Sequence, residues 1–164
     1  MVKSCASLAT ALVLAGTAPA FAAFEFTHEG WKGQVAFTDG KFRQCLMWAS
    51  AINNYDVGLS LDGAGELRLG LRSNKLDQTW PMIFKMKTAL RIQLDQGPVL
   101  IKAFASVSPT LLSTSLKGTD WEKRLADADL LRINTGTRVR LFHLTGIKAA
   151  MDKLRACAAK HRAA

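Results

Sequence analysis

Apolar and polar residues alternate along most of this 164-residue chain, in short runs that turn residues separate. Across residues 31–105 the alternation has a period of two, which is typical of antiparallel strands with one buried face. The clearest run follows a turn at 62–65, where leucines alternate with Arg68 and Arg72. Residues 42–50 have apolar side chains on both faces, which indicates a central strand. The pattern predicts strands at 31–37, 42–50, 57–61, 67–71, 82–86, 90–94 and 99–105.

The last third of the chain changes its pattern. Thr119 and Glu122 have the spacing of a capping box and predict a short helix that runs to about Asp127. We expect Trp121 and Leu125 to face inward from this helix. Two further short apolar runs, at 130–134 and 138–144, predict a hairpin.

A final amphipathic helix is predicted to begin at Thr145 or Gly146. Its apolar residues recur at helical spacing and form one stripe, which consists of Ile147, Ala150, Met151, Leu154 and Cys157. Together these elements predict one mainly β domain. We expect an antiparallel β-sandwich or a partly closed barrel, with a short helix and a C-terminal helix.

Residues 1–22 have the pattern of a secretory signal peptide. Lys3 supplies the positive start, an apolar core follows at 8–16, and Ala20 and Ala22 offer small residues for cleavage. The core is too short for a transmembrane helix. We expect cleavage after Ala22, with a cut after Ala20 as the alternative. The mature chain, 23–164, is then a soluble protein of the periplasm or envelope of a Gram-negative cell, or secreted, with no transmembrane segment.

Removal of the signal peptide leaves two cysteines, Cys45 and Cys157. Two cysteines in a small exported domain usually pair. The helical stripe turns Cys157 toward the core, as a bond to the Cys45 strand requires. A disulfide between Cys45 and Cys157 would close a loop of most of the domain, and in the chain-entropy model such a bond contributes about 4 to 5 kcal/mol to stability. Two buried free thiols are the alternative.

Several stretches match a known pattern: residues 67–69, 90–95, 121–133 and, most tellingly, 141–151, where a strand ends in Leu-Thr-Gly before an Ala-rich helix. In this order, across residues 40–157, they resemble the invasion-associated locus B family of exported bacterial proteins. That family has an additional cysteine pair, whereas residues 103–116 contain no cysteine. The resemblance implies a small, mostly β, non-enzymatic protein of the periplasm or envelope, and it supplies no catalytic residues.

The chain is basic, with 22 Lys and Arg against 13 Asp and Glu and a formal charge of +9. Five cations occupy non-core positions of three successive predicted strands: Arg68, Arg72, Lys85, Lys87 and Arg91. If these strands are neighbours, the side chains form one stripe that attracts lipopolysaccharide or anionic lipid. No aromatic residues interleave with them, so we expect no nucleic acid. The alternative is a solvated face that keeps the protein soluble.

No catalytic motif is present: the chain lacks a Gly-x-Ser-x-Gly elbow and a phosphate-binding glycine loop. His28, His143 and His161 have no metal-ligand spacing. We therefore expect no enzyme activity, no cofactor and no metal. His143 is predicted to be a half-buried strand histidine.

These observations predict an exported, non-catalytic protein that binds a protein partner or an anionic envelope component. One alternative is an inhibitor of an envelope enzyme such as a lysozyme, by analogy with other small basic proteins closed by a disulfide. The other is a carrier of a small molecule or lipid inside the curved sheet. The lining of that interior would be Met82, Phe84, Met86, Leu90 and Ile92.

Overall fold

The computed structural model describes residues 21–50, 55–73, 87–108, 110–117, 120–135 and 138–162, with the backbone alone at 21–25 and 87. Within these ranges ten strands and two helices follow one another. The strands are β1 (Phe21–His28), β2 (Trp31–Thr38), β3 (Lys41–Ser50), β4 (Tyr55–Asp62), β5 (Leu67–Ser73), β6 (Lys87–Leu94), β7 (Leu100–Ser108), β8 (Leu111–Ser115), β9 (Leu130–Asn134) and β10 (Val139–His143). The helices are α1 (Trp121–Ala126) and α2 (Ile147–Arg162).

All ten strands belong to one open sheet with the order β1-β2-β3-β4-β5-β8-β7-β6-β9-β10. Each neighbouring pair is antiparallel. The first five strands form a meander, after which β8 pairs with β5 and β6 lies between β7 and β9. The predicted fold class is confirmed: the protein is mainly antiparallel β, with one short helix and one C-terminal helix.

Two-residue turns join the first three strands. Glu29 and Gly30 have φ angles of 42° and 86°, and Asp39 and Gly40 have φ angles of 52° and 73°. A positive φ at both central residues matches the right-handed twist of the flanking strands, so the strands pair directly across the turn. These turns make β1, β2 and β3 sheet neighbours.

One face of the sheet is buried and forms the core. Leu69 of β5 and Ile92 of β6 have no exposed surface, and both lie on the face that the alternation predicts to be buried. In β3 the three consecutive residues Cys45, Leu46 and Met47 are all buried. This confirms that β3 is a central strand with apolar side chains on both faces.

Helix α2 packs against the buried face of β1–β4 and covers it. A disulfide joins Cys157 of α2 to Cys45 of β3, as the sequence predicts, with the two Cα atoms 6.2 Å apart. Both cysteines are buried. Nε1 of Trp31 in β2 donates a hydrogen bond of 2.9 Å to the carbonyl oxygen of Thr145, just before the helix. The helix is therefore held to the sheet at both of its ends.

The sheet curls around its core. The Arg140 guanidinium of β10 lies 4.1 Å from the ring centroid of Tyr55 in β4, and its Nη2 donates a hydrogen bond of 2.9 Å to the Tyr55 hydroxyl. Five strands separate β10 from β4 in the sheet order. A contact across this distance requires a curved sheet, so the face opposite the core is convex.

Two strands were not predicted from the sequence. β1 begins at Phe21, just before the predicted cleavage site, and β8 is a short run of leucine, serine and threonine. Thr114 of β8 faces the core, where its hydroxyl donates a hydrogen bond of 2.8 Å to the carbonyl oxygen of Ala103. This polar group at a core position obscures the alternation. The strand predicted at 82–86 lies outside the described residues.

Helix α1 has the predicted position, and Trp121 and Leu125 are buried in it as expected. Asp120 occupies the N-cap position of this helix, but its side chain forms no capping hydrogen bond. Thr119, the predicted cap, lies outside the described residues.

The Glu122 carboxylate of α1 binds helix α2, while its predicted capping partner, Thr119, lies outside the described residues. Its Oε1 accepts hydrogen bonds from Nε and Nη2 of Arg155, at 3.1 and 2.6 Å. The hydrogen bond with Glu122 raises the pKa of Arg155, and the charges of Glu122 and Asp152 raise it further. Both partners are exposed, so this pair contributes under about 1 kcal/mol to stability.

We predict that the Cys45→Ala/Cys157→Ala variant has a free energy of unfolding about 3 to 5 kcal/mol lower than the oxidised protein, because a 112-residue loop is no longer closed in the unfolded chain. Guanidinium chloride unfolding followed by tryptophan fluorescence measures the difference. Reducing agent should lower the stability of the parent protein by a similar amount and leave the variant unchanged. Equal midpoints for the variant and the oxidised parent would contradict the prediction.

Candidate functional site

The described residues of the predicted basic stripe lie in two separate parts of the sheet. Arg68 and Arg72 are on β5, Arg91 is on β6, and β8 and β7 lie between these strands. Lys87 is the first residue of β6, and Lys85 lies outside the described residues. The condition for a single stripe was that the strands be neighbours, and β5 and β6 are not. This part of the prediction is corrected, because β6 reaches β5 only through β7 and β8.

Arg72 forms an ion pair on the convex face. Its Nε and Nη2 donate hydrogen bonds of 2.9 and 2.5 Å to Oδ2 of Asp56 on β4. The Asp56 side chain is only 2% exposed. A carboxylate withdrawn from water needs a partner charge, so Arg72 serves the stability of the sheet.

The same arginine stacks on Trp48 of β3. Its guanidinium carbon lies 4.7 Å from the centroid of the Trp48 ring. The ring lies over Gly58 and Gly70, which are opposite each other on β4 and β5. A Cβ at Gly70 would come within 2.9 Å of the ring, and one at Gly58 would collide with it. The side chains of the protein itself therefore fill this part of the convex face.

Arg68 also has a partner on its own strand hairpin. Its Nη2 lies 2.8 Å from Oε1 of Glu66. Both arginines of β5 are thus paired with carboxylates. The half of the convex face that β3–β5 form has little positive charge left for an external anion.

The other half of the convex face has a different composition. Strands β6, β7, β9 and β10 contain no Asp or Glu. Arg91 of β6 is exposed, between Ile101 of β7 and Asn134 of β9 in the strand register. Two residues along these strands, Arg132 of β9 lies opposite Leu141 of β10. Among the residues that the structure describes, neither arginine forms an ion pair.

Exposed aliphatic side chains surround these two arginines. Val99, Ile101, Val139 and Leu141 are 54%, 68%, 58% and 51% exposed. Single exposed apolar residues are common on proteins, whereas a cluster marks an interaction surface. We call this cluster of Arg91, Arg132, Val99, Ile101, Val139 and Leu141 the outer patch.

Sequence reasoning found Arg91 but missed Arg132. A signal for Arg132 exists in β9, where it alternates with the buried Leu131 and Ile133 and lies, half-buried, on the outward side of the strand. The sequence did not show that β9 pairs with β6, which brings Arg132 and Arg91 onto neighbouring strands. Only the strand order reveals the outer patch.

The described residues offer no other concentration of reactive groups. Within them, no group of three or more His, Cys, Asp or Glu residues could hold a metal ion. His143 is exposed and not half-buried as predicted, because it lies on the convex side of the last strand in the sheet order. No helix in the described ranges has the length and apolar character needed to cross a bilayer.

A cleft of about 280 Å³ lies between the β4–β5 turn, the residues after β8 and helix α1. Its lining consists of Ala64, Gly65, Glu66, Leu67, Leu116, Lys117 and Glu122. Its two carboxylates are already paired, Glu66 with Arg68 and Glu122 with Arg155. The cleft therefore has no uncompensated acidic group for a cationic ligand.

The structure describes only two of the five residues predicted to line a carrier interior. Leu90 and Ile92 pack in the hydrophobic core, where they are 1% and 0% exposed. Met82, Phe84 and Met86 lie outside the described residues. The described part of this lining is thus ordinary core packing.

In comparisons with known proteins, no family model, no curated protein and no solved structure matches the chain. Its function is therefore inferred from its sequence pattern, its disulfide and the outer patch.

We predict stability effects of different size for the two classes of arginine. Arg72→Gln should lower the free energy of unfolding by about 2 to 3 kcal/mol, because the buried Asp56 carboxylate loses its charged partner. Arg91→Gln should change it by less than about 0.5 kcal/mol. Urea unfolding of both variants measures the contrast.

The combination Asp56→Asn/Arg72→Gln provides the control. Because the two residues interact directly, its cost should be smaller than the sum of the two single costs. Equal destabilisation by Arg72→Gln and Arg91→Gln would show that Arg72 has no special structural role.

Proposed function

We propose that this protein is an exported, non-catalytic, envelope-associated protein that binds an anionic envelope component through the outer patch. One observation carries the proposal. Arg91 and Arg132 lie on neighbouring strands within a four-strand face that contains no carboxylate, and exposed aliphatic side chains lie beside them.

The chemistry of the patch favours an anionic ligand that also has an apolar part. Uncompensated charges of one sign attract the opposite charge, and salt weakens that attraction. Guanidinium groups donate paired hydrogen bonds to phosphate oxygens. The contrast with Arg68 and Arg72 supports this choice of site, because those arginines already neutralise carboxylates of the protein.

Three features support an envelope location. Residues 1–22 have the pattern of a signal peptide. The Cys45–Cys157 bond suits an oxidising compartment. The resemblance of residues 40–157 to the invasion-associated locus B family implies the same location. Anionic lipids and lipopolysaccharide are the abundant anionic components there.

A protein partner is the second candidate, and the exposed aliphatic residues of the outer patch favour it. Arginine and apolar side chains are frequent in the cores of protein interfaces. Such a partner would need an acidic, partly apolar surface. The inhibitor and carrier alternatives gain no specific contact from the described residues.

We predict that Arg91→Gln/Arg132→Gln weakens binding to phosphatidylglycerol vesicles and to purified lipopolysaccharide about 30-fold, since each basic residue near an anionic surface contributes about 1 kcal/mol. Lys148→Gln/Lys153→Gln, on the exposed side of α2, is the matched control because it removes the same net charge. The control should bind within about twofold of the parent protein. Flotation and titration measure both sets of affinities, and equal losses in the two variants would refute a role for the patch.

Export has its own test. The protein recovered from the envelope fraction should have the mass of residues 23–164 less two hydrogens, and a thiol-blocking reagent should add nothing after denaturation, because Cys45 and Cys157 are joined. Intact-mass spectrometry gives the answer. A mass that includes residues 1–22, with labelled thiols, would place the protein in a reducing compartment and overturn the envelope proposal.

A further inference from the structure

We infer that the outer patch docks on the surface of a phospholipid bilayer, where its aliphatic side chains enter the headgroup layer while Arg91 and Arg132 bind lipid phosphates. This inference rests on the proposed function and specifies its ligand. The first support is the interleaving of the two kinds of side chain. Ile101 lies directly across from Arg91, and Leu141 lies directly across from Arg132.

The aliphatic residues favour a lipid surface over a soluble phosphate as the ligand of the outer patch. A soluble anion would use the two arginines and leave Ile101 and Leu141 in water. A bilayer offers phosphates and, a few ångströms deeper, an apolar phase. Long basic side chains keep their charge at the phosphate level while their stems lie along apolar surface.

The shape of the face also suits a bilayer. The outer patch is on the convex side of the curled sheet, where the sheet itself does not wrap around a ligand. A soft, nearly planar surface can follow a convex one.

Charge argues against a second copy of this chain as the occupant. A symmetric contact would place the same patch on both sides of the interface. Arg91 and Arg132 of one molecule would then face the same arginines of the other, with no carboxylate on these strands to compensate them. An anionic surface complements the patch directly.

The test uses the full mature chain and vesicles of phosphatidylglycerol mixed with phosphatidylcholine. We expect Ile101→Ser/Leu141→Ser to bind about tenfold more weakly than the parent protein, because two half-exposed apolar side chains no longer enter the lipid. Val107→Ser is the control for loss of one exposed apolar side chain outside the patch. Val107 is also exposed on β7 but lies about 20 Å along the strand from Ile101. It should bind within about twofold of the parent.

A depth measurement does not depend on loss of function. Ile101→Trp and Val107→Trp each add one tryptophan to the same strand. With phosphatidylcholine brominated in its acyl chains, the emission added at position 101 should be quenched much more strongly than that added at position 107. Equal, weak quenching at both positions would overturn insertion.

The outcomes distinguish the inference from the proposed function. Loss of vesicle binding in the arginine variant, with none in Ile101→Ser/Leu141→Ser, would overturn bilayer docking and leave binding to an anionic component intact. Binding to lipopolysaccharide or an acidic protein, with none to vesicles, would also overturn it. No patch-dependent binding to any of these would remove the proposed function as well. The inference is supported if both the arginine variant and Ile101→Ser/Leu141→Ser lose vesicle binding while their circular dichroism is unchanged, and if the tryptophan at position 101 is quenched.

Discussion

A single open sheet leaves a broad apolar face that must be covered, and the Cys45–Cys157 disulfide ties the covering helix to a central strand of that face. Helix α2 is the last element of the chain, so without a covalent link its docking would close a long loop at the expense of chain entropy. The bond removes much of this cost from folding. The Trp31–Thr145 hydrogen bond holds the other end of the helix.

The inner face of the sheet forms the core, and the two halves of the convex side differ. On β3–β5 the protein compensates its own charges: Asp56 is buried beneath Arg72, and Trp48 fills the space above two glycines. Such a surface has little to gain from a partner, because its charges are already paired. On β6, β7, β9 and β10 the positive charges have no carboxylate among their strands. The proposed binding surface therefore rests on this difference in compensation and not on the total charge.

The alternation of residues predicted which side of each strand faces the core. Leu69 and Ile92 are buried as expected, and Arg72 and Arg91 lie on the opposite face. The predictions missed contacts that depend on a distant partner. The spacing of Glu122 predicted a local capping role and did not show that its carboxylate pairs with Arg155 of the last helix. β8 was missed because Thr114 satisfies its hydroxyl in the core through Ala103, a contact that no local pattern shows.

The sequence by itself predicted the period-two strands, the amphipathic last helix and the pairing of Cys45 with Cys157, because the first two follow from local side-chain geometry and the third from the expected loss of Cys5 with the signal peptide. Strand order was decided only in the tertiary structure. It placed β7 and β8 between β5 and β6, which divided the expected basic stripe, and it brought β9 beside β6, which created the outer patch. The physical reason is that the direction of a side chain is a local property, whereas strand order depends on contacts between distant parts of the chain. Whether a side chain points inward depends on its own strand, whereas the neighbours it meets depend on how the whole sheet buries its apolar face.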